Sequence, residues 1–175
     1  MRNDSGIIAI GAVVALLLDV VISPNLPVLA GNPNFMLAYA LVISILSRGG
    51  IAYGVAFALG MAIDLLGFGP VGLMSILLLA GVFVVRTYVS DFSGIRGAGS
   101  VIALFLVILG VEVLHALGTV AMMSDVNPVD AVAYLALPCS VLTCIVGLFT
   151  YLIMRRILYP VRTSFGQRPP GLRRF

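Results

Sequence analysis

The chain of 175 residues contains no lysine and no tryptophan, a single histidine, two cysteines and only 10% charged residues. A soluble domain carries roughly 25% charged residues and is about half apolar. Here 61% of the residues are apolar, so polar surface is too scarce to cover a water-soluble core, and a cytosolic globular enzyme is excluded. The lone His115 stands three residues from Glu112, far short of the three or four ligands that a metal centre requires. Cys139 and Cys144 lie five apart inside one apolar run. That spacing fits neither a redox CxxC nor a metal knuckle, and both read as buried thiols. No Ser or Cys nucleophile is spaced near the histidine, no paired Asp residues flank a loop, and there is no phosphate loop. The expectation is a non-enzymatic membrane subunit without cofactor or metal and without a nucleic-acid partner.

What remains is long apolar sequence. Runs extend over 7–22, 35–47, 51–66, 71–89, 101–123 and 131–154, separated by segments rich in Gly, Pro, Asn, Asp or Ser. With about 20 residues needed per crossing, the length holds six transmembrane helices and no separate soluble domain. The predicted fold is an all-α bundle of six spans over 1–158, followed by a basic tail over 159–175 that is Pro-, Gly- and Arg-rich and reads as unstructured. The second run is the weakest, because 13 residues cover only about 20 Å of a ~30 Å hydrocarbon core; tilting, extension by its flanks, or a re-entrant path would each accommodate it. The first run also competes with a signal-peptide reading through Val28-Leu29-Ala30, but Arg2 is offset by Asp4 and Asp19 lies inside the run, so an uncleaved helix is preferred.

Orientation follows from the ten basic residues, all Arg. Alternate flanks of the six spans hold Arg2, then Arg48, then Arg86 with Arg96, then Arg155, Arg156, Arg162, Arg168, Arg173 and Arg174. The other three flanks hold none. Positive charge is retained on the cytoplasmic side, so an even number of crossings with both termini cytoplasmic is expected. The Arg-rich tail would be drawn to anionic lipid.

A charge at the centre of a membrane helix costs about 2.5 to 3.5 kcal/mol on insertion scales, so the polar residues within the runs are the candidate site. They are Asp19, Asp64, Glu112 and His115, all expected in the outer half, with Thr119 on the same helix face as Glu112 and His115. By the same counting Asp64 shares a face with Gly50, Phe57 and Met61. No internal cation except His115 is available to these acids, which leaves protonation, hydrogen bonds within the bundle, or a group supplied by a partner or ligand. A relay crossing both leaflets, as a proton or cation pathway needs, is missing.

Helix 3 also carries Gly50, Gly54, Ala58 and Ala62 at four-residue spacing, with Gly60 beside them. Small residues at this interval allow close helix packing, either inside the bundle or against another subunit. The stretch GFGPVG over 67–72 matches GxGxxG only formally. No strand precedes it and Pro70 interrupts it, so its glycines are read as a tight turn between helices 3 and 4. Pro138 removes a backbone donor and should kink helix 6.

Taken together these residues resemble the rod shape-determining MreD family of bacteria. The likeness is strongest from Pro33-Asn34 through Gly54, Gly60 and Asp64-Leu65 to Gly72, and continues through Glu112, Asn127-Pro128, Pro138 and a closing LIMRR. The Arg-only basic set and the long Arg/Pro tail depart from the family pattern. The resemblance implies a scaffold subunit of the cell-elongation complex in the bacterial inner membrane. Such a subunit pairs with the periplasmic coiled-coil protein MreC and couples MreB filaments to the wall synthases of lateral peptidoglycan. The alternative is the substrate-binding S component of an energy-coupling factor vitamin transporter, similar in length, spans and termini. It would use the outer acids as a ligand pocket and Gly11 and Ala15 to dock a coupling subunit.

Overall fold

The computed structural model describes residues 4–25, 32–47, 49–66, 70–89, 98–123 and 127–159. Among them six helices follow one another: α1 (Asp4–Val21), α2 (Phe35–Leu46), α3 (Ile51–Leu66), α4 (Leu73–Tyr88), α5 (Ala98–Met123) and α6 (Pro128–Leu158). A 3-10 turn, Ser23–Asn25, follows α1. No strand occurs among the described residues. Three helices are long and apolar enough to cross a membrane, namely α1 with its 3-10 extension, α5 and α6; α2, α3 and α4 are shorter apolar helices.

The core is built around α2. Ten of its twelve residues are buried, and it packs against each of the other five helices. A helix that is apolar all round belongs in the middle of a bundle, and FMLAYALVISIL carries no charge on any face. The peripheral opposite is α1, which buries only Ile8 and Ala15 and leaves Ile10, Val13, Leu17 and Val21 exposed. It is tied to α2 by the Tyr39 hydroxyl, which donates to the Ile8 carbonyl at 2.7 Å. Gly11 makes room for that ring: a Cβ there would stand 2.9 Å from two Tyr39 ring carbons.

Among the described residues α3 and α4 form the most extensively packed pair of helices. Its crossing point is Gly60, whose absent Cβ would lie 2.8 Å from the Ser75 backbone nitrogen and 3.1 Å from the Met74 carbonyl carbon. The buried arc of α3 runs through Ala52, Ala56, Leu59, Gly60 and Asp64. Gly50, Gly54 and Ala58 are exposed and Ala62 is half-buried, with open space beside Gly50 and Gly54. Of the expected helix-packing residues Gly60 therefore packs within the bundle, Ala62 lies at its edge, and Gly50, Gly54 and Ala58 face outward. Asp64 likewise points to α4 with Gly60 and not along the exposed Gly50–Phe57 face. At 100° per residue the stripe drifts around the helix, and α4 takes the flank on which Gly60 and Asp64 sit.

Two wide turns interrupt the regular helices. Residues 85–89 close α4 as π-helix, and Ala131–Ala136 form a second π segment inside α6. The latter precedes Pro138, the expected kink site. Proline lacks the N–H that would complete the ladder, and the preceding turn widens so that Leu137 N–H reaches the Val132 carbonyl, five residues back.

Both ends of the chain's helical part meet at one end of the bundle. Asp4 at the start of α1 lines the same cavity as Leu46, Ser47, Ile51, Leu158 and Tyr159, and the Tyr159 hydroxyl donates to the Leu46 carbonyl at 2.8 Å. Arg86 at the end of α4 reaches the same region, hydrogen-bonding the Gly49 carbonyl and stacking its guanidinium over the Tyr53 ring at 5.3 Å. With Arg155 and Arg156 ending α6, the described arginines all lie at this basic end. Arg2, Arg48, Arg96 and the tail arginines, like Gly67–Gly69 of the GFGPVG turn, lie outside the described residues.

Candidate functional site in a buried polar layer

Counting along each helix from the basic end at about 1.5 Å per residue, Asp19, Asn34, Asp64, Glu112 and Thr143 all fall roughly 18 to 22 Å away. They form one polar layer. It lies where α1 and α3 finish and where α2 and α4 begin, so the backbone groups left open by four helix ends sit among the polar side chains.

Asp19 serves α2. Its Oδ1 accepts the Phe35 N–H at 2.7 Å. Asn34 is the N-cap of the same helix, its Oδ1 accepting the Leu37 N–H at 2.9 Å, while its own N–H donates to Thr143 Oγ1 of α6 at 3.0 Å. Just outside, the Ser23 hydroxyl donates to the carbonyl of buried Pro33 at 2.7 Å. The start of α2 is thus fastened to α1, α6 and the 3-10 turn, with its leading N–H groups satisfied by side chains.

Asp64 serves α4 in the same way. Buried at the end of α3, its carboxylate accepts the Gly72 and Ser75 N–H groups and the Ser75 hydroxyl on Oδ2, at 3.0, 3.0 and 2.8 Å, and the Met74 N–H on Oδ1 at 3.1 Å. Gly72 is left-handed, with φ 94°, a conformation that costs a residue with a Cβ but not glycine; it turns the chain so that its own N–H and those of Met74 and Ser75 face one carboxylate, while the Leu73 N–H between them donates to the Pro70 carbonyl at 3.2 Å. Each of these two aspartates sits at a helix N-terminus, where the partial positive charge of the helix favours an anion.

Glu112 differs. It is buried and lies against the Asn34 side chain, with Asp19 close enough to act on it electrostatically. One carboxyl oxygen, Oε1, has no hydrogen-bond partner among the described residues. His115 is half-buried and feels Asp64 as its charged neighbour. Thr119 does not join them chemically: its hydroxyl donates to the His115 backbone carbonyl at 2.9 Å, a turn-to-turn bond within α5. The structure therefore brings Glu112 to Asp19 through Asn34 and His115 towards Asp64. Leu65 is exposed. Cys139 and Cys144 are both buried free thiols, and among the described residues no three metal-ligating side chains converge.

Thr143 and Ser75 carry no signal at sequence level beyond being hydroxyls inside apolar runs. Asn34 did carry one, as an Asn directly preceding an apolar helical run. The chain matches no protein-family model, no curated protein and no solved structure.

Proposed function

We propose that this chain is a six-span, non-enzymatic scaffold subunit of the bacterial cell-elongation complex, of the MreD type. It sits in the inner membrane with the basic end and both termini cytoplasmic. In this reading it holds an MreC-like coiled-coil protein and links MreB filaments, through the cytoplasmic face, to the wall synthases. The observation that carries the reading is the role of the resemblance residues. Asn34, Asp64 and Gly72 begin α2 and α4, and Gly60 sets the α3–α4 contact. A likeness confined to hydrophobic composition would not fall on capping residues; this one does.

The depth of the polar layer supports the crossing count. At about 18 Å, α2 is short for a ~30 Å core, but its start is enclosed by protein and its N–H groups are paired, the condition under which backbone can end at membrane depth. Beyond that layer α5 and α6 continue, exposing Met122, Val129, Tyr134 and Leu137. These apolar side chains, and the outward stripe Gly50, Gly54 and Ala58, are the surfaces offered to a partner's membrane helix.

Depletion of the chain from a rod-shaped cell tests the reading: cells should round up, and capture of the chain should recover the MreC-like protein with wall synthases. Gly54→Leu with Ala58→Leu should weaken that capture while leaving the chain's own membrane level unchanged. Rods that persist on depletion, or capture that returns neither partner, refute it. Asp64 and Gly60 are poor probes of partner contact, since both lie inside the α3–α4 hairpin.

A further inference from the structure

The end of α6 holds a feature that scaffolding does not use. Arg155 and Arg156 are exposed there, and together with Tyr159, Leu152 and Ile153 they line a cavity of about 520 Å³. Among the described residues no acidic side chain lines it. The neighbouring cavity, across Tyr159, does contain a carboxylate, that of Asp4, so an anion is favoured on the arginine side alone. Tyr159 is a fixed wall between the two: its hydroxyl is held by the Leu46 carbonyl at 2.8 Å and its N–H by the Arg155 carbonyl at 2.9 Å. Below the guanidiniums the lining turns apolar, with Leu152 and Ile153 among the exposed hydrophobic residues of α6.

We propose that this cavity, where two adjacent arginines and a fixed tyrosine stand over an exposed apolar helix flank, is a headgroup site for an anionic phospholipid. The proposal rests on the membrane reading, with the basic end at the cytoplasmic surface. Guanidinium presents a planar fork of donors matched to phosphate oxygens. Free phosphate shares that chemistry, but only a lipid also places acyl chains along Leu152 and Ile153. Residues 155 and 156 are adjacent, so their side chains leave the helix about 100° apart and enclose an anion from two sides. Both sit in the last turn, where basic side chains also complement the negative helix end.

The test uses the full chain purified in detergent and examined by native mass spectrometry with added dioleoylphosphatidylglycerol, dioleoylphosphatidylcholine or inorganic phosphate. Phosphatidylglycerol should be retained in preference to phosphatidylcholine. Arg155→Gln with Arg156→Gln should lower that retention about tenfold or more, the scale of losing charge-assisted contacts, while Arg168→Gln, Arg173→Gln and Arg174→Gln together, which remove only the diffuse attraction of the tail for anionic lipid, should lower it far less. Helical circular dichroism confirms that the exposed double variant is folded. Retention unaffected by the Arg155/Arg156 pair, or abolished by the tail variant alone, overturns the site, as does inorganic phosphate binding with equal occupancy and the same dependence on the pair. Release of the wild-type chain from membranes by alkaline carbonate would instead overturn the membrane reading itself.

Discussion

Asp64→Ala is the perturbation whose effect the structure specifies most closely. The substitution removes the acceptor for four donors: the N–H groups of Gly72, Met74 and Ser75 and the Ser75 hydroxyl. The hydroxyl can rotate to a backbone carbonyl of its own helix, and the Gly72 N–H is only partly buried, so neither is counted. The Met74 and Ser75 bonds are buried, and each N–H left without a partner costs about 1 to 3 kcal/mol. The expected loss is therefore roughly 2 to 6 kcal/mol, larger than the ~1 kcal/mol of an ordinary cap and a large part of a total stability near 5 to 15 kcal/mol. Asp64→Asn, which keeps one acceptor oxygen, should fall between Ala and wild type, and Ser75→Ala should lose no more than about 1 kcal/mol. Equilibrium unfolding by denaturing detergent in mixed micelles, followed by circular dichroism, measures all three. An Asp64→Ala loss below about 0.5 kcal/mol, the range of ordinary surface changes, would refute the capping account.

The remaining predictions concern packing and the unpaired acid. Gly60→Leu should destabilise by about 1 to 3 kcal/mol or more as the side chain meets the Ser75 backbone, whereas Gly54→Leu, facing open space, should change stability by less than about 0.5 kcal/mol; the same unfolding assay distinguishes them, and equal losses would show that α3 is turned differently. Glu112→Gln should be neutral or stabilising at pH 7. It keeps an acceptor and a donor beside Asn34 while removing a buried, half-satisfied carboxyl group, and a loss above about 1 kcal/mol on unfolding would contradict that.

Most of the helix plan was legible in the sequence, because apolar runs broken by Gly, Pro and Asn leave little choice of boundary. The run 51–66 coincides with α3, and 35–47 exceeds α2 by one residue. The central place of α2 could also be read, since a helix with no polar face has no surface to turn outward. The buried face of α3 could not. Small residues cover much of that helix, and only the contact with α4 selects Gly60 over the regular series Gly50, Gly54, Ala58 and Ala62. The role of Asp64 was hidden for a related reason: its donors lie eight to eleven residues ahead, across a turn whose geometry depends on a left-handed Gly72. An aspartate ahead of a Gly/Pro turn and a new apolar helix is a signal for such a cap, but helical spacing alone aligned it with Phe57 and Met61.

The polar layer resolves how a bundle with no internal arginine among the described residues keeps its carboxylates. Two of the three acids need no cation, because each is placed where a neighbouring helix begins and presents bare N–H groups. The hydrogen bonds and the helix charge act together there, and the acid and the helix end each remove the other's penalty. This pairing explains why the short helices α2 and α4 both start at the depth of an aspartate, and it makes Asp19 and Asp64 parts of the frame. Glu112 faces no bare helix end of its own. It shares the α2 start with Asp19, whose Oδ1 already takes the Phe35 N–H, and Asn34 directs its own acceptor to Leu37. One oxygen of Glu112 has no hydrogen-bond partner among the described residues, and a role in binding at this level must be carried by Glu112 before either aspartate.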